Sequence, residues 1–309
     1  MVIKAFTKIL VALDGSLTSE SSLRFLEAVL PEKGTTEIFL ITVVETTDQY
    51  DLDAAESYLG SLIKDLETDL QTFKRELMWN TEAIGISTLE PGRPPSKKYI
   101  ADAISEFSNF NSVNLLIIAS NGWSGSDRWL VGPVAEHVIQ NTQASVMLVR
   151  GDFVIQSNTL DVRNILVPLD GSQNAEMAFE LAGKILHNKS DSNAMMDIVY
   201  VRPPKEGPAS KYMRPNFDFR ALPHGDELSY MSELTQNLPQ NSFRITLREG
   251  DPGPNISDVA NEIGTQLIVM TSHGRSGESK YNYGKVADDV MHTSPVPVLI
   301  LRIANDYAS

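Results

Sequence analysis

The tripeptide Asp-Gly-Ser occurs twice at matching places, as Asp14-Gly15-Ser16 and Asp170-Gly171-Ser172, directly behind the apolar runs "KILVAL" and "NILVPL". An aspartate there can accept hydrogen bonds from a ribose hydroxyl or a base amine, while Gly and Ser allow a tight turn and cap the following helix. Turn and cap chemistry alone would also explain either copy. Two copies at equivalent places favour a site.

A second constellation is made of glycines. Gly122 and Gly132 in one half, and Gly274 and Gly284 in the other, are each separated by nine residues. Such a loop can wrap an anion and return to a helix amino terminus, where backbone N–H groups and the helix dipole favour phosphate. His273, next to Gly274, could reach a phosphate or a base, or be an ordinary, partly exposed loop histidine.

Other chemistries find little support. There are no cysteines, so no disulfide, thiolate metal site or thiol nucleophile is available. Neither a Gly-x-Ser-x-Gly elbow nor a cluster of metal-ligand spacing occurs. With 40 acidic against 26 basic residues the net charge is −14, which disfavours nucleic acid. No run of 18 apolar residues occurs, and the expectation is a cytoplasmic protein without a membrane partner. His137 reads as a surface or interhelix residue. Trp123 and Trp129 could stack on adenine or pack against a neighbour. The proline-rich insertion 202–220 reads as a lid or docking loop.

The elements that must hold these residues come in duplicate. "KILVALDGS" at 8–16 returns as "NILVPLDGS" at 164–172, "VNLLIIASNG" at 113–122 as "TQLIVMTSHG" at 265–274, and "SVMLVR" at 145–150 as "PVLILR" at 297–302. A repeat this long is a duplicated domain rather than a solenoid unit. The expected organisation is a domain at 1–150, a linker at 151–161 and a second domain at 162–309. Strands are expected near 8–13, 37–44, 82–88, 113–119 and 145–150, then near 164–169, 196–202, 243–248, 266–271 and 297–302. Most are continuous Val, Ile and Leu runs, so both faces must be covered. Helical patterns lie between them, the longest carrying the stripe Leu59, Leu62, Ile63, Leu66, Leu70, Phe73 and Leu77. The fold class is α/β, with two tandem doubly wound parallel sheets.

On "ILVPLDGS", "TSHGRSG" and "EGDPGPNI" the chain resembles the universal stress protein family in tandem form, over nearly its whole length. The resemblance implies Rossmann-like five-stranded sheets of order 3-2-1-4-5, with ATP or AMP bound in one or both domains, with or without Mg2+. It puts Asp14 and Asp170 at the family aspartate, and Val43 and Val201 at the strand-two residue whose backbone meets adenine. Gly122, Gly132, Gly274 and Gly284 take the second and third positions of the glycine motif. The first is replaced by Ala119 and Thr271, and the terminal Ser/Thr by Pro133 and Lys285. Proline lacks a donor, whereas Lys285 adds a charge, so phosphate is expected to prefer the second half. Against this, Thr271 is bulkier than glycine and could crowd the ligand.

The expected function is a nucleotide-binding sensor in stress response, not an enzyme. The alternatives are an interaction or structural protein with degenerate loops, and a slow ATPase. The resemblance also implies pairing of the two last strands as a pseudo-dimer within the chain; a homodimer of whole chains is a separate expectation.

Overall fold

"KILVAL" and "NILVPL" become the central strands of two separate units because each is apolar on both faces and must be flanked by strands and covered by helices. The computed structural model describes residues 6–30, 35–44, 46, 48–69, 76–85, 97–120, 131–150, 162–187, 194–202, 227–273 and 283–303. The chain divides into a unit spanning Lys4–Asp161 and a unit holding Val162–Ser309.

In the first unit the order along the chain is β1 (Lys8–Leu13), α1 (Leu17–Ser21), a 3-10 turn (Ser22–Phe25), α2 (Leu26–Val29), β2 (Thr35–Val44) and α3 (Gln49–Asp69). It continues with β3 (Glu76–Gly85), α4 (Lys97–Phe110), β4 (Leu115–Ala119), α5 (Pro133–Asn141) and β5 (Ser145–Val149). The strands are parallel and ordered β3-β2-β1-β4-β5. Ile9, Leu10, Val11, Leu115, Leu116 and Ile117 are wholly buried, so the core lies on both faces of β1 and β4.

The second unit runs β6 (Asn164–Leu169), α6 (Gln173–His187), β7 (Met195–Arg202), α7 (Glu227–Thr235), β8 (Phe243–Glu249), α8 (Pro252–Ile263), β9 (Leu267–Thr271), α9 (Lys285–Thr293) and β10 (Val298–Leu301). Its parallel order, β8-β7-β6-β9-β10, is the same topology. Both units therefore have the doubly wound order 3-2-1-4-5. The chain reverses direction across the sheet between the first and fourth strands of each, which is where such folds open a crevice.

Two elements differ from expectation. The strand expected at 82–88 begins at Glu76, and Leu77 belongs to it rather than to the preceding helix. All ten residues of β3 pair in register with β2, from Thr35 opposite Glu76 to Val44 opposite Gly85. Sheet pairing outweighs the helical stripe at that point. Leu70 and Phe73 lie outside the described residues.

The segment after β1 is broken, whereas α6 is continuous. In "SLTSESSL" the serine hydroxyls bond backwards: Ser19 Oγ donates to the Ser16 carbonyl at 3.0 Å and Ser21 Oγ to the Thr18 carbonyl at 2.6 Å. Ser22 Oγ likewise donates to the Ser19 carbonyl. Such bonds compete with the α-helical ladder and tighten the turn. "QNAEMAFELAGKILH", rich in Ala, Leu and Glu, has no such competitor and forms 15 helical residues.

Candidate functional site

In the second unit the site starts where β6 ends. Gly171 takes φ +83°, a turn that suits glycine, and brings the Ser172 amide to Asp170 Oδ1 at 3.0 Å. Ser172 Oγ then accepts the Ala175 amide at 3.1 Å and caps α6. The turn-and-cap role of Asp-Gly-Ser is real, and it holds the aspartate at the end of the central strand.

Val201 enters this level by register. Leu169 pairs with Tyr200, so Val201, the next residue of β7, stands one step beyond the last paired residue of β6, beside Asp170. Val43 stands in the same relation to Asp14, because Leu13 pairs with Thr42.

The far wall comes from β9. Thr271 is buried, its hydroxyl donating to the His273 carbonyl at 3.2 Å. Asn174 Nδ2 on α6 donates to the same carbonyl at 3.2 Å. That second bond ties the first turn of α6 to the loop after β9. His273 is buried rather than partly exposed, at 7% of its full accessibility.

Gly284 ends the loop. Its amide donates to the Ser272 carbonyl at 2.7 Å, and its own carbonyl accepts the Asp288 amide at 3.0 Å, opening α9. With φ −62° it needs no special conformation. Glycine is required by space, since a Cβ there would stand 2.7 Å from the Ser272 oxygen and 3.6 Å from His273 Cα. The amino terminus of α9 is thus held against the end of β9, with Lys285 as its first residue. Lys285 Nζ meets Asp289 Oδ2 at 3.0 Å, one turn along. Behind the turn, Tyr283 is buried, its ring 4.3 Å from the Arg302 guanidinium carbon and its hydroxyl 3.1 Å from Arg302 Nε. Gly274 lies outside the described residues.

The first unit repeats the frame with changed contents. Gly15 takes φ +77°, and Asp14 Oδ1 accepts both the Ser16 amide at 3.0 Å and the Ser16 hydroxyl at 2.5 Å. Ala119 ends β4, and the Gly132 amide donates to the Ser120 carbonyl at 2.7 Å, the same length as its counterpart. The next residue, Pro133, removes one N–H from the start of α5. Gly122, Trp123 and Trp129 lie outside the described residues.

Asn174, Asp289 and the Tyr283–Arg302 pair were not legible as site elements. The signal for Asn174 was weak, an amide in the first turn of a helix. Tyr58 on α3 carries no such signal in the sequence either: its hydroxyl donates to Glu20 Oε1 at 2.7 Å. Burial foremost, then that bond and the Glu20 and Asp14 charges, push its phenol well above the ordinary tyrosine range. His137 Nε2 lies 2.6 Å from Asp102 Oδ1, joining α5 to α4 as an interhelix residue.

Among the described residues no group of three or more His, Asp or Glu side chains could hold a metal ion. No helix among them is long and apolar enough to cross a membrane. The expected insertion is described only at Arg202, which bonds Glu227 at 2.9 Å.

Two doubly wound α/β units, each with an aspartate turn after the first strand and a glycine at the helix following the fourth, define a tandem Rossmann-like protein. The chain belongs to the universal stress protein family, whose model matches residues 5–150 and 161–302. It is 24% identical over 199 residues to a universal stress protein of Mycobacterium tuberculosis, a match covering 62% of this chain and 63% of that one. A universal stress protein of Methanothermobacter thermautotrophicus is 30% identical over 143 residues, 45% of this chain and 95% of the other. Among solved structures, a universal stress protein from Archaeoglobus fulgidus superposes with a TM-score of 0.63 at 18% identity, covering 97% of this chain and 99% of that one. That likeness is one of fold.

Proposed function

We propose that the chain binds an adenine nucleotide, ATP or AMP, at the carboxyl ends of β6 and β9, and acts as a cytoplasmic sensor or binding module in stress response rather than turning substrate over. The observation that carries this reading is the seat of Gly284, which presents the amino terminus of α9 beside the β6 turn. Asp170 would accept from the ribose, the backbone at Val201 would meet adenine, and the first amides of α9 would face the phosphates. Thr271 donates its hydroxyl to the His273 carbonyl, so that hydroxyl is already partnered within the chain. The first half, with Asp14, Val43, Ala119 and Gly132, offers the same frame but holds phosphate less well because Pro133 has no N–H.

A second reading, an interaction protein that has lost its ligand, is favoured by Pro133 and by the partner that Lys285 already has in Asp289. Mass spectrometry of the denatured, purified chain separates the two. Co-purified ATP or AMP, or a Kd below about 1 mM in equilibrium dialysis, supports the nucleotide reading, and no binding of ATP, ADP or AMP to that concentration overturns it. Phosphate release that vanishes on substituting Asp170 or Gly284 would instead make the protein a slow ATPase.

A further inference from the structure

Lys285 and Asp289 occupy the first and fifth residues of α9, and the helix equivalent to it in the first unit, α5, has Pro133 and His137 in those places. His137 is bonded to Asp102 there. The ion pair is therefore peculiar to the second unit. Its side chains remain 44% and 29% accessible, so water competes with it and the pair is easily exchanged.

Asp289 is held from another side as well. A Cβ at Gly253 would stand 2.5 Å from Asp289 Cβ and 3.2 Å from its Oδ2. Gly253 is the second residue of α8, so the carboxylate packs against the first turn of that helix, where the positive end of the dipole favours an anion. Asp289 thus keeps a stabilising environment when Lys285 leaves it. Lys285, a compact charge on a flexible four-carbon stem, can swing about its place at the start of α9.

We propose that Asp289 is a specificity-determining residue of the second-half site: it holds the Lys285 ammonium and yields it to the outer phosphate of a polyphosphate ligand, so that the pair grades affinity by phosphate number. This rests on the nucleotide reading. A monophosphate, reaching the α9 amides alone, leaves the ion pair in place. A triphosphate reaches further and competes with the carboxylate for the ammonium, and more highly charged oxygens win that exchange.

The experiment is isothermal titration of the full chain with ATP and with AMP, in a Gly132→Asp background that silences the first half. Asp289→Asn, near-isosteric beside Gly253, should tighten ATP about two-fold, the scale of an exposed i,i+4 pair, and leave AMP unchanged. In a Lys285→Met background the same substitution should change neither ligand. Asp289→Ala, which keeps the Cβ beside Gly253 and removes only the carboxylate, should repeat the pattern if Asn disturbs folding. An Asp289→Asn effect that persists without Lys285, that is equal for ATP and AMP, or that is absent overturns the proposal while leaving nucleotide binding intact. No binding by the Gly132→Asp parent, where the unmodified chain binds, moves the site to the first half and also overturns it. No binding by the unmodified chain overturns the nucleotide reading and this inference together.

Discussion

Gly284 and Ser272 are joined at 2.7 Å, amide to carbonyl, and the same oxygen stands 2.7 Å from where a side chain at 284 would begin. One hydrogen bond thereby specifies both the start of α9 and the residue that can occupy it.

Gly284→Ala should push α9 away from β9. The backbone oxygen cannot yield as a flexible side chain would, so the expected cost is about 1–3 kcal/mol of second-unit stability. Urea unfolding would measure it, and titration should show nucleotide affinity falling in the same variant. An unchanged midpoint would show that the turn relaxes freely.

Asn174→Ala should loosen the loop after β9 without touching the ligand. Loss of one part-buried hydrogen bond to the His273 carbonyl costs about 0.5–1.5 kcal/mol. Asp170 stays in its turn, since that bond comes from Ser172. Affinity should weaken several-fold by calorimetry, and Asn174→Asp should weaken it further by turning a donor into an anion beside a carbonyl.

Arg244→Ala strikes a pair far from the site. Asp197, 2% accessible, receives Arg244 Nε at 2.6 Å and a second guanidinium nitrogen at 3.0 Å, directly across the β7–β8 register. Because Arg244 itself is half exposed, water softens the loss, and about 1–3 kcal/mol is expected rather than the full cost of stranding a buried charge. Asp197→Asn should cost less. Thermal unfolding of both variants tests the order.

Tyr58→Phe carries a pH signature. The folded phenol is raised above its ordinary value near 10, so its stabilisation is fully present below that pH and is lost as pH climbs toward the raised folded value. Wild type should exceed Tyr58→Phe in denaturant midpoint at pH 8, and the gap should shrink above pH 10. A gap that widens with pH would contradict the assigned direction.

Much of the architecture was legible in the residues. Continuous apolar runs mark strands covered on both faces, and their duplication marks two domains, because such patterns depend only on each segment's own side chains. The Asp-Gly-Ser turns were legible for the same reason: their bonds span two or three residues. Only the tertiary structure decided what lies across the fold. Asn174 and the His273 carbonyl are 99 residues apart in sequence, and β3 begins at Glu76 because β2 offers it ten partners. Lys285 reads from its spacing as a phosphate ligand, and the structure adds Asp289, 3.0 Å away, as the partner it rests on. Sequence spacing reports which residues share a loop; the partners they choose depend on strands and helices brought together by burial, and that choice is made in three dimensions.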